Sequence, residues 1–374
     1  MMIAGEESSD LHASHLARAL RQRRPDLQIF GAGGQRMKKA GVQLEVDLVQ
    51  KAVVGIAEVL RNLPEFKRIF SDLVRRCKEE RPDAVILIDY PRFNLRFAKV
   101  AKRLGIRVIY YISPQVWAWG GWRIRKIRET VDQMIVVFPF EEIFYKRHGM
   151  TALYVGHPLL DLVKVNPDQE KLRCTLSLSK DATVIGLLPG SREKEVSTLL
   201  PVMLQTARLL KKELPNLQFP LFQSPALSDA LYKRFQTDGL PVHYVLDVEY
   251  QYRNLIDFAL VASGTATLEN AILGKPMVIL YKTSFLTYLL VRRLIQIPYI
   301  GLVNIVAGEK LVPECLQYEA TPQNVAQTAL RFLKDSGKME WMKRELLQIR
   351  GKLGKEGASD RAADAILKGF GSSA

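Results

Sequence analysis

Residues 258–271 read FALVASGTATLENA, and this stretch sets the architecture. Phe258–Val261 is a continuous apolar run of strand length, the pattern of a strand covered on both faces. A turn of small residues follows, Ser263-Gly264-Thr265, and a helical pattern begins at once over Ala266–Leu273. Strand, small turn and helix start make an anion site, because unpaired backbone N–H groups and the helix dipole both favour a phosphate. Gly264 lets the backbone come close, and the hydroxyls of Ser263 and Thr265 are donors for phosphate oxygens. Glu269 follows one turn later, and a carboxylate there suits a pair of ribose hydroxyls, since it accepts two donors at once. A capped helix with Glu in its first turn for dipole reasons gives the same letters, and both readings stand at this point.

Working outward, the same alternation recurs along the chain. Strands are expected at Gln28–Gly31, Ala84–Ile88, Val108–Ile112, Met134–Val137, Leu153–Val155, Val184–Leu188, Phe219–Leu221 and Met277–Tyr281. Helical patterns lie between them, including Leu11–Arg21, Leu95–Leu104 and Thr198–Glu213. Repeated strand–helix–strand units mean parallel sheets with right-handed crossovers. At 374 residues the chain exceeds what one core usually supports, and the pattern restarts after Gly156–Asp161. The expected fold is therefore α/β, with two doubly wound, Rossmann-like domains over 1–160 and 161–336. Their parallel sheets would face a central cleft, where the carboxyl ends of such strands bind ligands. Residues 337–374 are read as C-terminal helices that pack back across the first domain.

Composition narrows the function classes. With 48% apolar and 25% charged residues the chain is an ordinary globular protein. No apolar run approaches the ~20 residues of a membrane span, and the first residues run straight into GEESSD with no secretory leader, so a cytoplasmic location is expected. Cys77, Cys174 and Cys315 are far apart, show no zinc spacing and are read as reduced core thiols. The net charge of +15 is uneven: residues 1–158 carry 27 Lys and Arg against 17 Asp and Glu, and the rest carry 27 against 22. A basic first half attracts an anionic partner, whether nucleic acid, an acidic metabolite or a lipid surface. The chain lacks an aromatic-basic RNA signature, which argues against nucleic acid.

Further constellations sit at other expected strand ends. Leu187-Leu188-Pro189-Gly190-Ser191-Arg192 repeats the strand–turn–helix theme, and Arg192 offers a bidentate fork for phosphate. Asn304, between Gly301 and Gly308, either presents its amide to a pyrophosphate or makes a turn. In the first domain Gly5-Glu6-Glu7-Ser8-Ser9-Asp10 opens the helix that begins near Leu11; Ser9 and Asp10 either cap it or belong, with Glu6, to a cleft-facing loop. Asp89 ends a buried strand, where a carboxylate can take a proton from an attacking hydroxyl; an Asp starting a turn ahead of Pro91 is the plainer alternative. Ser113-Pro114-Gln115-Val116-Trp117-Ala118-Trp119 supplies Gln115 and Trp117 for a sugar, or simply fills core.

An amphipathic region spans Val53, Val54, Ile56, Val59 and Leu60, then a cap at Asn62-Leu63-Pro64-Glu65, then Phe66, Ile69, Phe70, Leu73 and Val74 with basic neighbours Lys67, Arg68, Arg75, Arg76 and Lys78. The usual meaning is a core-facing helix; its basic flank makes an anionic bilayer surface the alternative. Trp122-Arg123-Ile124-Arg125-Lys126-Ile127-Arg128 adds positive charge.

Taken in order, AGEESSD, IDYPRFN, SPQVWAW, the Val155-Gly156-His157-Pro158 turn, LLPGSREKEV, SGTATLENAILGKPMVILYK, GLVNIVAG and Val312-Pro313-Glu314 resemble the lipid-A-disaccharide synthase family. The resemblance runs from residue 4 to about 317. It implies the GT-B architecture and an inverting transfer from UDP-2,3-diacylglucosamine to 2,3-diacylglucosamine 1-phosphate, giving a β-1,6 disaccharide 1-phosphate and UDP. It implies that Glu269 binds the ribose, that Gly190, Ser191, Arg192, Ser263, Gly264, Thr265 and Asn304 surround the diphosphate, and that Asp89 is the base. Backbone dipoles and Arg192 neutralise the departing UDP, so no cofactor and no metal are expected. A location on the inner face of the cytoplasmic membrane follows, and a homodimer is compatible with it. UDP-N-acetylglucosamine 2-epimerases and other lipid-sugar transferases share the architecture and are the alternatives. One departure stands out: where the family carries a second Asp in its Asp-x-Pro-Asp-Phe-Asn motif, this chain has Arg92.

Overall fold

The computed structural model describes residues 1–52, 63–118, 121, 123–166, 168–237, 239–283 and 297–371. The chain divides into two compact units, Met1–Pro158 together with Gly354–Ala374, and Leu159–Leu353.

The first unit is built on seven strands: β1 (Met2–Ala4), β2 (Phe30–Gly33), β3 (Gln43–Asp47), β4 (Ala84–Ile88), β5 (Arg107–Tyr111), β6 (Gln133–Val136) and β7 (Ala152–Tyr154). They pair in parallel in the order β3-β2-β1-β4-β5-β6-β7. The second unit has six: β8 (Thr183–Leu188), β9 (Leu217–Phe222), β10 (Val242–Val245), β11 (Phe258–Ala262), β12 (Met277–Tyr281) and β13 (Glu314–Leu316), in the order β10-β9-β8-β11-β12-β13, also parallel. Every residue of β4 and β11 is buried, as continuous apolar runs require when helices cover both faces.

Each sheet reverses its strand order once, between β1 and β4 in the first unit and between β8 and β11 in the second. Such switch points open a crevice at the carboxyl ends of the two strands. The register places Ala4 beside Ile88 and Ile88 beside Tyr111, so the residues after β1, β4 and β5 emerge side by side. In the second unit Val261 lies beside Leu188, which brings the turns after β8 and β11 together.

Two details correct the sequence reading, and a third bears out the core-facing helix. The C-terminal helices separate: the helix Ser336–Lys352 packs in the second unit, where the Met342 sulfur accepts from the Met277 N–H, whereas the helix Ala358–Gly371 packs on Glu7–Arg23 in the first, with Arg23 paired to Asp360 and Asp364 and Arg361 Nε donating to the Val155 carbonyl at 2.8 Å. Cys77 and Cys315 are buried free thiols as expected, but Cys174 is exposed. In the helix Leu63–Glu80 the apolar face is a core face: Ile69, Leu73 and Cys77 join the first unit's hydrophobic cluster, and Phe66, Phe70 and Val74 pack against it. The preceding apolar residues Val53 to Leu60, and Trp119 and Trp122, lie outside the described residues. Among the described residues no helix is long and apolar enough to cross a membrane.

Candidate active site

In the second unit, Gly264 has φ +150°, and a β-carbon there would point into open space. Conformation, then, is what calls for glycine here. The N–H groups of Thr267, Leu268 and Glu269 are taken up by the carbonyls of Gly264 and Thr265, so the entrance to the short helix Ala266–Ile272 is formed by residues 264–266. Thr265 is exposed there. Ser263 departs from expectation: its hydroxyl donates to the Ile300 carbonyl at 3.1 Å, so that proton ties the turn to the next segment.

Glu269 is buried and paired with the guanidinium of Arg253, a partner the sequence did not suggest. Arg253 comes from the short 3-10 turn Tyr252–Leu255; the residue is half-buried, with its Nε and Nη1 sealed from solvent. It lies over the Tyr250 ring at 4.9 Å and the Phe222 ring at 5.8 Å, and its Nε is 3.9 Å from Asp247. Asp247 in turn accepts the N–H groups of Tyr252 and Arg253. Burial pulls the Arg253 guanidinium below its ordinary value and pushes the Asp247 carboxyl up. One cation between two carboxylates, under aromatic faces, is a stiff frame for Glu269.

The turn after β8 is braced by Glu195, again missed from sequence. One carboxylate oxygen accepts the Ser191 N–H and the other accepts Arg192 Nη1, each at 3.1 Å. Gly190 has φ +112°, and a β-carbon there would meet Glu195 Oε2 at 2.4 Å. Arg192 is two-thirds exposed, presented outward by that brace.

Asn304 must be read differently. It is fully buried and saturated from within: Nδ2 donates to the Val312 carbonyl and to Glu314 Oε1, and Oδ1 accepts the Val312 N–H, all at 2.9 Å. Glu314 also accepts the N–H groups of Ile300 and Gly301. Asn304 therefore shapes the segment that follows residue 299, and its amide is not turned out to a ligand.

In the first unit the edge after β1 and β4 carries Glu6 and Asp89. Gly5 is needed because the Tyr90 ring lies 2.2 Å from where a β-carbon would be. Burial, and next the charge of Glu6, push the Tyr90 phenol up. Asp89 and Tyr90 have φ +47° and +48°, and Ile112 at the end of β5 has φ +64°. Left-handed backbone in three non-glycine residues at one sheet edge is the kind of strain that collects at functional sites. Ser9 is 1% exposed and is a capping residue: its hydroxyl accepts the Glu6 N–H and donates to the Glu6 carbonyl. Asp10 caps the following helix instead of its own, accepting the N–H groups of Gly34, Arg36 and Met37.

Gln115 is exposed in the loop after β5, while Trp117 is core: its Nε1 donates to Glu141 at 3.0 Å and its ring meets Phe140 edge-on at 4.9 Å. Glu141 also accepts the N–H groups of Val137 and Phe138, and burial pushes its carboxyl up to about 7. His157, in the Gly-His-Pro turn, is buried against Phe138 and held down at about 3 by burial and then by His12. Among the described residues no group of three His, Cys, Asp or Glu could hold a metal ion.

Each unit thus offers one chemistry at its switch point, a strained carboxylate edge in the first and paired phosphate-type turns with a buried Glu in the second. The profile of the family described as lipid-A-disaccharide synthetase matches residues 1–367. The chain belongs to that family. It is 43% identical over 372 residues to the lipid-A-disaccharide synthase of Geobacter metallireducens, covering 99% of this chain and 97% of that one. As a lipid-A-disaccharide synthase it is a glycosyltransferase of lipid A biosynthesis. The fold is shared more widely. The UDP-GlcNAc 2-epimerase of Neisseria meningitidis, solved bound to UDP-GlcNAc, superposes with TM-score 0.67 at 14% identity over 95% of this chain and 96% of that one. A calicheamicin glycosyltransferase superposes with TM-score 0.57 at 15% identity, covering 96% and 95%. The family assignment sets this synthase apart from the epimerases, which match it in fold alone.

Proposed function

We propose that the second unit holds UDP-2,3-diacylglucosamine and that Asp89 deprotonates the 6-hydroxyl of 2,3-diacylglucosamine 1-phosphate. That oxygen attacks the anomeric carbon of the donor, the bond to the diphosphate breaks, the proton passes to Asp89, and UDP leaves with the electron pair. One in-line displacement converts an α-linked donor into a β-linked product, and it needs a base on one face and leaving-group stabilisation on the other. Residues 190–192 and the entrance at Gly264–Thr265 supply that stabilisation, and Glu269 receives the ribose hydroxyls.

The observation that carries this reading is Asp89 itself, a half-buried carboxylate in left-handed backbone at the switch-point edge. The test is a product assay with the two lipid sugars in the presence of EDTA, run on wild type and Asp89→Ala. Disaccharide 1-phosphate and UDP are expected from the first. The second should lose turnover while keeping UDP affinity, and normal turnover in Asp89→Ala removes Asp89 from the mechanism.

Both substrates carry acyl chains, so we place the work at an anionic membrane surface, reached through the exposed Lys67 and Arg68. Charge reversal at both should weaken binding to anionic vesicles; undiminished binding would count against that placement. A homodimer is compatible with this scheme.

A further inference from the structure

The dipeptide Asp89-Tyr90 holds an unfavourable conformation twice over. Each left-handed non-glycine residue costs on the order of 1–3 kcal/mol and persists only where its surroundings over-determine it. The surroundings here are specific. The Tyr110 hydroxyl donates to the Asp89 carbonyl at 2.6 Å, and Asn94 Nδ2 donates to the same oxygen at 2.7 Å. Asn94 Nδ2 also lies 3.2 Å from the Ile88 carbonyl and 3.5 Å from that of Ile3, so it bridges β4 and β1 where the sheet order reverses. The Asp89 N–H donates to the Tyr111 carbonyl, and the Asn94 N–H to that of Tyr90, each at 3.1 Å. Tyr110 and Asn94 are both fully buried.

We infer that Tyr110 and Asn94 are positioning residues for the transfer reaction: by clamping the Asp89 carbonyl from two sides they hold the left-handed turn that carries the reactive carboxylate. Neither is placed to meet substrate, since both are sealed inside the sheet edge. Burial, reinforced by the nearby charge of Asp89, keeps the Tyr110 phenol well above its ordinary value, so its hydroxyl remains a donor throughout the working pH range. A carbonyl that accepts two short bonds cannot swing into ordinary strand geometry without leaving the buried Tyr110 hydroxyl unsatisfied and taking from Asn94 Nδ2 its shortest bond.

The inference rests on Asp89 being the base, and the experiment separates the two. Tyr110→Phe keeps the ring and removes only the hydroxyl. It should lower kcat about tenfold or more, with donor KM and UDP affinity within about twofold of wild type. In the Asp89→Ala background the same substitution should leave the residual single-turnover rate unchanged, because its effect passes through Asp89. If Asp89→Ala collapses turnover while Tyr110→Phe is as fast as wild type, this inference alone fails. If Tyr110→Phe slows the Asp89→Ala enzyme by the same factor as wild type, the role is general packing and the inference is overturned. If Asp89→Ala turns over normally, the reading beneath it fails instead. Should Tyr110→Phe not fold, Asn94→Ser carries the same comparison.

Discussion

The guanidinium of Arg253 is buried against the carboxylate of Glu269, with Asp247 on its other side at 3.9 Å from Nε. The carboxylate proposed for the donor ribose is therefore one corner of a buried charge cluster in which Arg253 is, among the described residues, the cation paired with both carboxylates.

Removing the cation should hurt more than removing one anion. Arg253→Met leaves Glu269 and Asp247 both uncompensated in the interior, whereas Glu269→Gln leaves Arg253 still opposed by Asp247. Breaking a buried pair costs roughly 3–5 kcal/mol, so Arg253→Met should approach that value and Glu269→Gln should fall clearly below it. Thermal unfolding of the two variants measures the order, and equal losses would refute the cluster. Both should raise donor KM more than they lower kcat.

Two glycines of the first unit make a matched pair. Gly5→Ala drives a methyl into the Tyr90 ring, which must move and take its neighbour Asp89 with it. Gly105 has φ +74° with open space around it, so Gly105→Ala costs conformational strain alone, on the order of 1 kcal/mol. Steady-state kinetics should show a large fall in kcat for the first and wild-type kcat for the second, with only a small drop in its Tm.

Stability should fall in mild acid. His12 and His157 are buried and held down to about 4 and about 3, chiefly by burial. In the unfolded chain each takes up a proton near 6.5, so between about pH 6.5 and 4 the unfolded state binds more protons and stability drops as pH falls. Each histidine contributes ~1.4 kcal/mol per pH unit within its window. Glu141 runs the other way: its folded value of about 7 exceeds the ordinary 4.5, so its share is present below about pH 4.5 and is lost as pH rises to 7. Chemical denaturation from pH 7 to 4 should therefore show a shallower decline in His157→Gln than in wild type, and parallel curves would contradict the assignment.

How much of this was legible depends on the kind of residue. The inner strands β4, β8, β11 and β12 announce themselves because helices on both faces demand unbroken apolar runs. The strands not foreseen, β3, β10 and β13, lie at sheet edges; β3 reads QLEVD, with Gln43 and Glu45 exposed and its other residues only partly covered. The very short β1 also went unassigned. Turns after β8 and β11 were visible through their glycines and small polar residues. The residues that hold those turns were not. Tyr110 looks like strand filler, Arg253 like a surface arginine near an acidic stretch, and Glu195 like an ordinary first-turn acid. Each acquires its role from a partner set by sheet register, which letters alone do not supply. Asn304 and Ser9 show the reverse error: polar residues in promising loops whose hydrogen bonds are satisfied by the loop itself.

The first unit takes its last helix from the far end of the chain, after the whole of the second unit has intervened. During synthesis from the amino end, the helix Glu7–Arg23 must therefore wait, with Arg23 lacking Asp360 and Asp364, until residues beyond Leu353 have been made. The second unit is contiguous and needs nothing beyond Leu353. Cutting the chain after Leu353 would consequently spare the second unit and uncover the face of Glu7–Arg23 on which the last helix sits.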